Sequence, residues 1–128
     1  MTNKDIYLAA LSILAQNAPD GENADYEERA PYLIATFCSD ALETDTLMRK
    51  ALGISSAKSF NEIFLPLEDS FPLLDRFASA AAKYLAAMLV IDEDSELSEK
   101  LFEMCCDGMA LIRKELPYAL ESIVDKYN

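Results

Sequence analysis

Residues 77–91 read Phe-Ala-Ser-Ala-Ala-Ala-Lys-Tyr-Leu-Ala-Ala-Met-Leu-Val-Ile. The main polar positions, Ser79 and Lys83, lie about one helical turn apart, and nearly everything else is apolar. A helix apolar nearly all round belongs at the centre of a bundle or in a subunit interface. Ala80, Ala81, Ala82, Ala86 and Ala87 give it a face without bulk, against which a neighbouring backbone can come close. Ser70 as cap and Pro72 near the first turn start this predicted helix, which continues to about Ile91. Either the rest of the chain or a second copy has to cover it.

Working outward, the acidic turn Asp92-Glu93-Asp94 ends that helix, and Ser95 can cap the next. Its stripe is Leu97, Leu101, Met104, Cys105, Gly108, Leu111 and Ile112. Pro117 should kink or end it, leaving Leu120, Ile123, Val124 and Tyr127 as a last amphipathic piece. Upstream, Ile63-Phe64-Leu65-Pro66-Leu67 has no helical room before its proline and reads as a connection laid on the core, with one short helical turn at Ser59–Glu62. Before it, Asp25 and Glu28 suit a capping box, and Ala30, Leu33, Ile34, Phe37, Cys38, Ala41 and Leu42 form a buried stripe. That helix stops at Gly53, after about 20 to 25 residues, and either kinks at Pro31 or becomes regular only near Ala30. A first helix over 4–16, capped by Thr2 or Asn3, turns Ile6, Ala9, Ala10, Ile13 and Leu14 inward, and Asn17–Ala24 is an exposed loop. The fold class is all-α, a compact bundle of four to five helices in a single helical domain, 1–128.

Composition narrows the function classes. With 23 acids against 11 bases the formal charge is −12, a field that repels nucleic-acid phosphates and anionic headgroups, so direct nucleic-acid or membrane binding is not expected. No apolar run approaches a bilayer span, and Thr2-Asn3-Lys4-Asp5 lacks the order of a signal peptide, so a cytoplasmic location is expected. Three cysteines are an odd number in apolar helical surroundings, as reduced thiols packed as small hydrophobes would be. The chain has no histidine, which removes Ser-His-Asp and Cys-His catalysis together with histidine-bearing metal sites, and none of its three glycines builds a phosphate loop. Asp92, Asp94, Glu96 and Glu103 fit positions of an EF-hand frame, but Leu97 stands where the frame needs glycine. No enzyme, cofactor or metal is therefore expected.

What remains is recognition of other proteins. Phe37, Phe77 and Phe102 follow the apolar stripes and read as core, whereas Tyr26, Tyr32, Tyr118 and Tyr127 lie near helix ends, where an amphipathic ring can anchor a partner. With Arg29, and with Phe64 of the apolar connection, they are the candidate interface residues.

Three stretches carry a resemblance: Asp-Tyr-Glu-Glu-Arg-Ala-Pro-Tyr-Leu at 25–33, the run from Asp75 to Asp94, and Glu-Ser-Ile-Val-Asp-Lys-Tyr at 121–127. Together they resemble a family of small prophage proteins of Gram-positive bacteria from the capsid and head-to-tail morphogenesis region. The resemblance implies a virion or assembly component akin to a helical connector, with copies of itself and neighbouring phage structural proteins as partners. The alternative reading is a small acidic regulatory module that binds a basic protein.

Overall fold

The structure, a computed structural model, describes the backbone of residues 1–15 and 24–127 and the side chains of residues 1–15 and 25–116. The predicted loop Asn17–Ala24 lies outside the described residues except for Ala24, at which a helix already begins. Among the described residues four α-helices, α1 (Asn3–Ile13), α2 (Ala24–Leu52), α3 (Ala78–Val90) and α4 (Ser95–Tyr127), make the all-α bundle that the sequence predicts. A connection over 53–74 and a 3-10 turn, Asp75–Phe77, join α2 to α3.

Helix α3 is the centre, and the covering helices belong to the same chain: α1, α2 and α4 all pack on it. Ala80, Ala81, Ala82, Leu85, Ala86, Ala87, Leu89 and Val90 are buried. Its alanines do what the sequence suggests, because α4 comes close at Gly108, where an added Cβ would stand 3.8 Å from the Ala80 Cβ. One turn from the start of α4, the buried Ser98 hydroxyl donates to the Ala87 carbonyl at 2.8 Å. The Arg76–Glu115 pair lies near the other end, so α4 runs antiparallel to α3.

Helix α2 also runs antiparallel to α3, with Arg29 donating to the Met88 carbonyl, Phe37 and Tyr84 rings 5.8 Å apart, and Asp45 level with Leu74. Its expected stripe is buried or half-buried throughout, and it continues through Asp45 and Met48. Pro31 does not delay the helix, which starts at Ala24 and runs 29 residues; Asp25 therefore lies in the first turn and pairs with Arg29 at 3.3 Å instead of capping. Gly53 ends α2 at φ +70°, with its N–H donated to the Lys50 carbonyl and that of Ile54 to Arg49, the left-handed closure that glycine makes easy.

The fully buried Asp45 carboxylate is the polar centre of the connection. It accepts the Arg49 Nε and the Leu74 N–H, both at 2.8 Å. The Arg49 guanidinium then donates to the carbonyls of Ser55 and Pro72, so one ion pair holds both ends of the connection against α2. The start of the chain holds its middle: Asn3 and Lys4 donate backbone N–H groups to the Asp69 and Leu67 carbonyls, and Phe71 donates to Met1.

Those contacts explain several departures from the sequence reading. Ser70 pairs with Thr2 in an antiparallel bridge and does not cap a helix, so α3 begins only after the 3-10 turn. The short helix expected at Ser59–Glu62 is replaced by a side-chain turn, in which the Asn61 Oδ1 accepts the N–H groups of Ile63 and Phe64. Thr2 caps α1 with Asp5 in a reciprocal capping box. Pinned there, α1 turns Asn3, Ile6, Tyr7, Ala10 and Leu11 inward, leaving Ala9 and Ile13 exposed. This face buries Tyr7 and Leu11 where the expected one would bury Ala9 and Ile13.

Asp94, not Ser95, caps α4, accepting the Leu97 N–H on Oδ1. Pro117 does not end it: the helix continues to Tyr127, a length of about 50 Å at 1.5 Å per residue. Among the described side chains, the buried arc of α4 is Ser98, Leu101, Cys105, Met109 and Ile112. Met104 and Leu111, expected in the stripe, and Phe102, expected in the core, are all exposed.

Two stability outcomes are expected in urea unfolding. Asp45→Ala strands the Arg49 charge and the Leu74 N–H and should cost about 3 kcal/mol. Gly108→Ala, with ordinary van der Waals room for its methyl, should stabilise by about 0.5–1 kcal/mol through helix propensity.

Candidate functional site

The candidate interface residues separate into two groups. Tyr26 is 6% exposed, and its hydroxyl donates to the Glu93 carboxylate, tying the start of α2 to the turn between α3 and α4. Burial and the Glu93 carboxylate push its phenol up to about 12. It is an internal brace and not a surface anchor. Arg29, half-buried, is engaged by Asp25 and the Met88 carbonyl. The side chains of Tyr118 and Tyr127 lie outside the described residues.

Tyr32 and Phe64, 32 positions apart in the chain, come together: their rings meet edge to face, centroids 5.0 Å apart and planes at 68°. Tyr32 remains 52% exposed. The sequence builds this junction in steps. Pro31 sits buried in α2, and its carbonyl accepts the Leu65 N–H at 3.1 Å, docking the connection on the helix. The Asn61 turn sets Phe64, and the Ser39 hydroxyl reaches the Glu62 carbonyl at 3.3 Å. The result is an open groove between α2 and the connection, with Pro31, Tyr32, Phe64, Pro66 and Leu67 along it and Glu27, Glu28 and Glu68 at its edge. Ile63, 72% exposed, stands next to it in the chain.

A second surface was not legible in the sequence. Phe102, 47% exposed, stands between two depressions on the flank of α4. One, about 210 Å³, is bordered by Phe37, Tyr84, Cys106 and Arg113, and the other by Met88 and Ile91. On the opposite flank Leu111 is 62% exposed, one heptad beyond Met104. Phase signals Leu111, which falls out of step with Leu101, Cys105, Met109 and Ile112, but not Phe102, which stands one heptad before the buried Met109.

The polar chemistry is mostly structural. In the acidic turn Asp94 caps α4 and Glu93 holds Tyr26, and no group of three metal-ligating side chains gathers among the described residues. Burial pushes the Cys38 thiol up to about 12 and Cys105 up to about 11, the direction opposite to that of a nucleophile. Cys106 is exposed, contrary to the packing expected for all three cysteines. No family model matches the chain, and neither curated proteins nor solved structures provide a significant match to it.

Two outcomes follow for the titrating groups. Native protein should react quickly with a disulfide reagent at one thiol, Cys106, while Cys38 and Cys105 await unfolding. The raised folded-state values of Tyr26, Cys38 and Cys105 favour the neutral forms, so their stability is present at neutral pH and is lost as pH rises from about 9 toward 12. Melting temperature should fall across that range, less steeply in Tyr26→Phe.

Proposed function

We propose that this chain is a non-catalytic assembly protein of a prophage, resembling a head-to-tail connector, and that it acts by helix-mediated association with copies of itself and with neighbouring phage structural proteins. The observation that supports this most is α4: a helix of about 50 Å that leaves Phe102, Met104 and Leu111 open to solvent beside a core already closed within the chain. Large apolar side chains on both flanks of one long helix suit a subunit that meets a neighbour on each side, as a ring requires. The raised thiols and the structural use of Asp45, Glu93 and Asp94 fit a binding role better than a catalytic one. No helix among the described residues is long and apolar enough to cross a membrane, which accords with a cytoplasmic and virion-associated protein.

Self-association of a chain carrying −12 charges brings like charges together, so salt should strengthen it. Light scattering over a concentration series at low and high salt should show a mass that grows with both. Leu111→Glu and Phe102→Glu should return it toward the 14.2 kDa of one chain. A strict monomer under every condition would remove self-association from the account.

A further inference from the structure

We infer that the groove between α2 and the connection is a docking site for an arginine-bearing segment of a basic partner protein, separate from the α4 surface with which it shares no residue. The groove is apolar and aromatic before it is charged. Pro31, Pro66 and the Tyr32–Phe64 pair form a surface in which Tyr32 is half exposed, and the edge-to-face contact holds both rings in place. It is set before any ligand arrives, because the Leu65 N–H bond to Pro31 and the Asn61 turn fix the connection against the helix.

Charge identifies the occupant. Glu27, Glu28 and Glu68 edge the groove, and none of them has an ion-pair partner among the described residues. Arg29, on the same helix, is already engaged by Asp25 and by Met88. Pro31 also removes the N–H that a regular helix would donate to the Glu27 carbonyl. A planar guanidinium matches this combination better than an ammonium. It can lie on the exposed Tyr32 ring while its fork of donors meets the carboxylates. A second copy of this chain, with its net charge of −12, is a poor electrostatic match for the same edge.

The test is a fluorescence-anisotropy titration of the full chain with a labelled hexa-arginine peptide at two salt levels. Wild type should bind, more weakly at high salt. Tyr32→Ala should weaken binding about threefold to tenfold, while Tyr32→Phe, which keeps the ring, should bind as wild type. Glu27→Gln with Glu28→Gln should weaken it at least as much, whereas Glu99→Gln with Glu103→Gln, the same charge removed from α4, should change it little. Thermal melts of each variant establish that it is folded. Equal losses from the two double variants would reduce the effect to diffuse charge and overturn the site, as would wild-type binding by Tyr32→Ala. A lower mass for Tyr32→Ala alone in light scattering would assign the groove to a second copy and overturn it too.

Discussion

The alanine-rich face of α3 sets the distance between helices, and most of the structure follows from that distance. Where Ala80 meets Gly108 there is hardly a side chain between two backbones, so α4 lies close to α3. Close approach gives many weak dispersion contacts per residue and excludes water from the seam. It also narrows the arc of α4 that can face inward. The side chains displaced from that arc, Phe102 on one flank and Met104 and Leu111 on the other, become the exposed apolar surface. The tight core and the open helix flanks thus have one physical origin.

A second constraint organises the long connection without helices. The connection over 53–74 has no strand or helix to satisfy its backbone, so it borrows partners from its neighbours. Asp45 and Arg49 hold its ends, the residues before and within the first turn of α1 hold its middle, and Asn61 turns it locally. A buried carboxylate is expensive unless each oxygen is engaged, and here both are. The groove beside Tyr32 inherits its shape from this arrangement. Its rigidity comes from bonds made for folding.

Much of the fold was legible in the sequence because helical period and composition are local signals. The stripe on α2 and the stop at Gly53 could be read from spacing, which also narrowed the cap of α1 to Thr2 or Asn3 and the place of α3 to a bundle centre or a subunit interface. What could not be read depends on partners far away in the chain. Ser70 has the chemistry of a cap, yet its backbone is taken by Thr2, a contact across 68 positions. Tyr26 lies near a helix end, as an anchor would, but Glu93 draws it inward. Phe102 shares the phase of the buried Met109, one heptad on, and still lies exposed, because phase along α4 does not say how far round it the neighbouring helices reach. For the candidate surfaces, Tyr32 was visible as an aromatic near a helix end and Phe64 as part of an apolar connection laid on the core, while their meeting needed the Leu65–Pro31 bond that no local pattern announces. The prophage resemblance rests on the same helix patterns, and its bearing on role remains a proposal.

Amide hydrogen exchange, followed by mass spectrometry at a dilution low enough to give single chains and again at high concentration, tests the central claim most directly. If α3 is closed within one chain, its amides from Ala80 to Val90 should be the slowest in the molecule at both concentrations. Protection gained on concentration should then appear on α4, around Phe102 and Leu111. Protection of α3 that appears only in the concentrated sample would contradict the account, placing that helix between chains and removing the core from which the exposed surfaces have been derived.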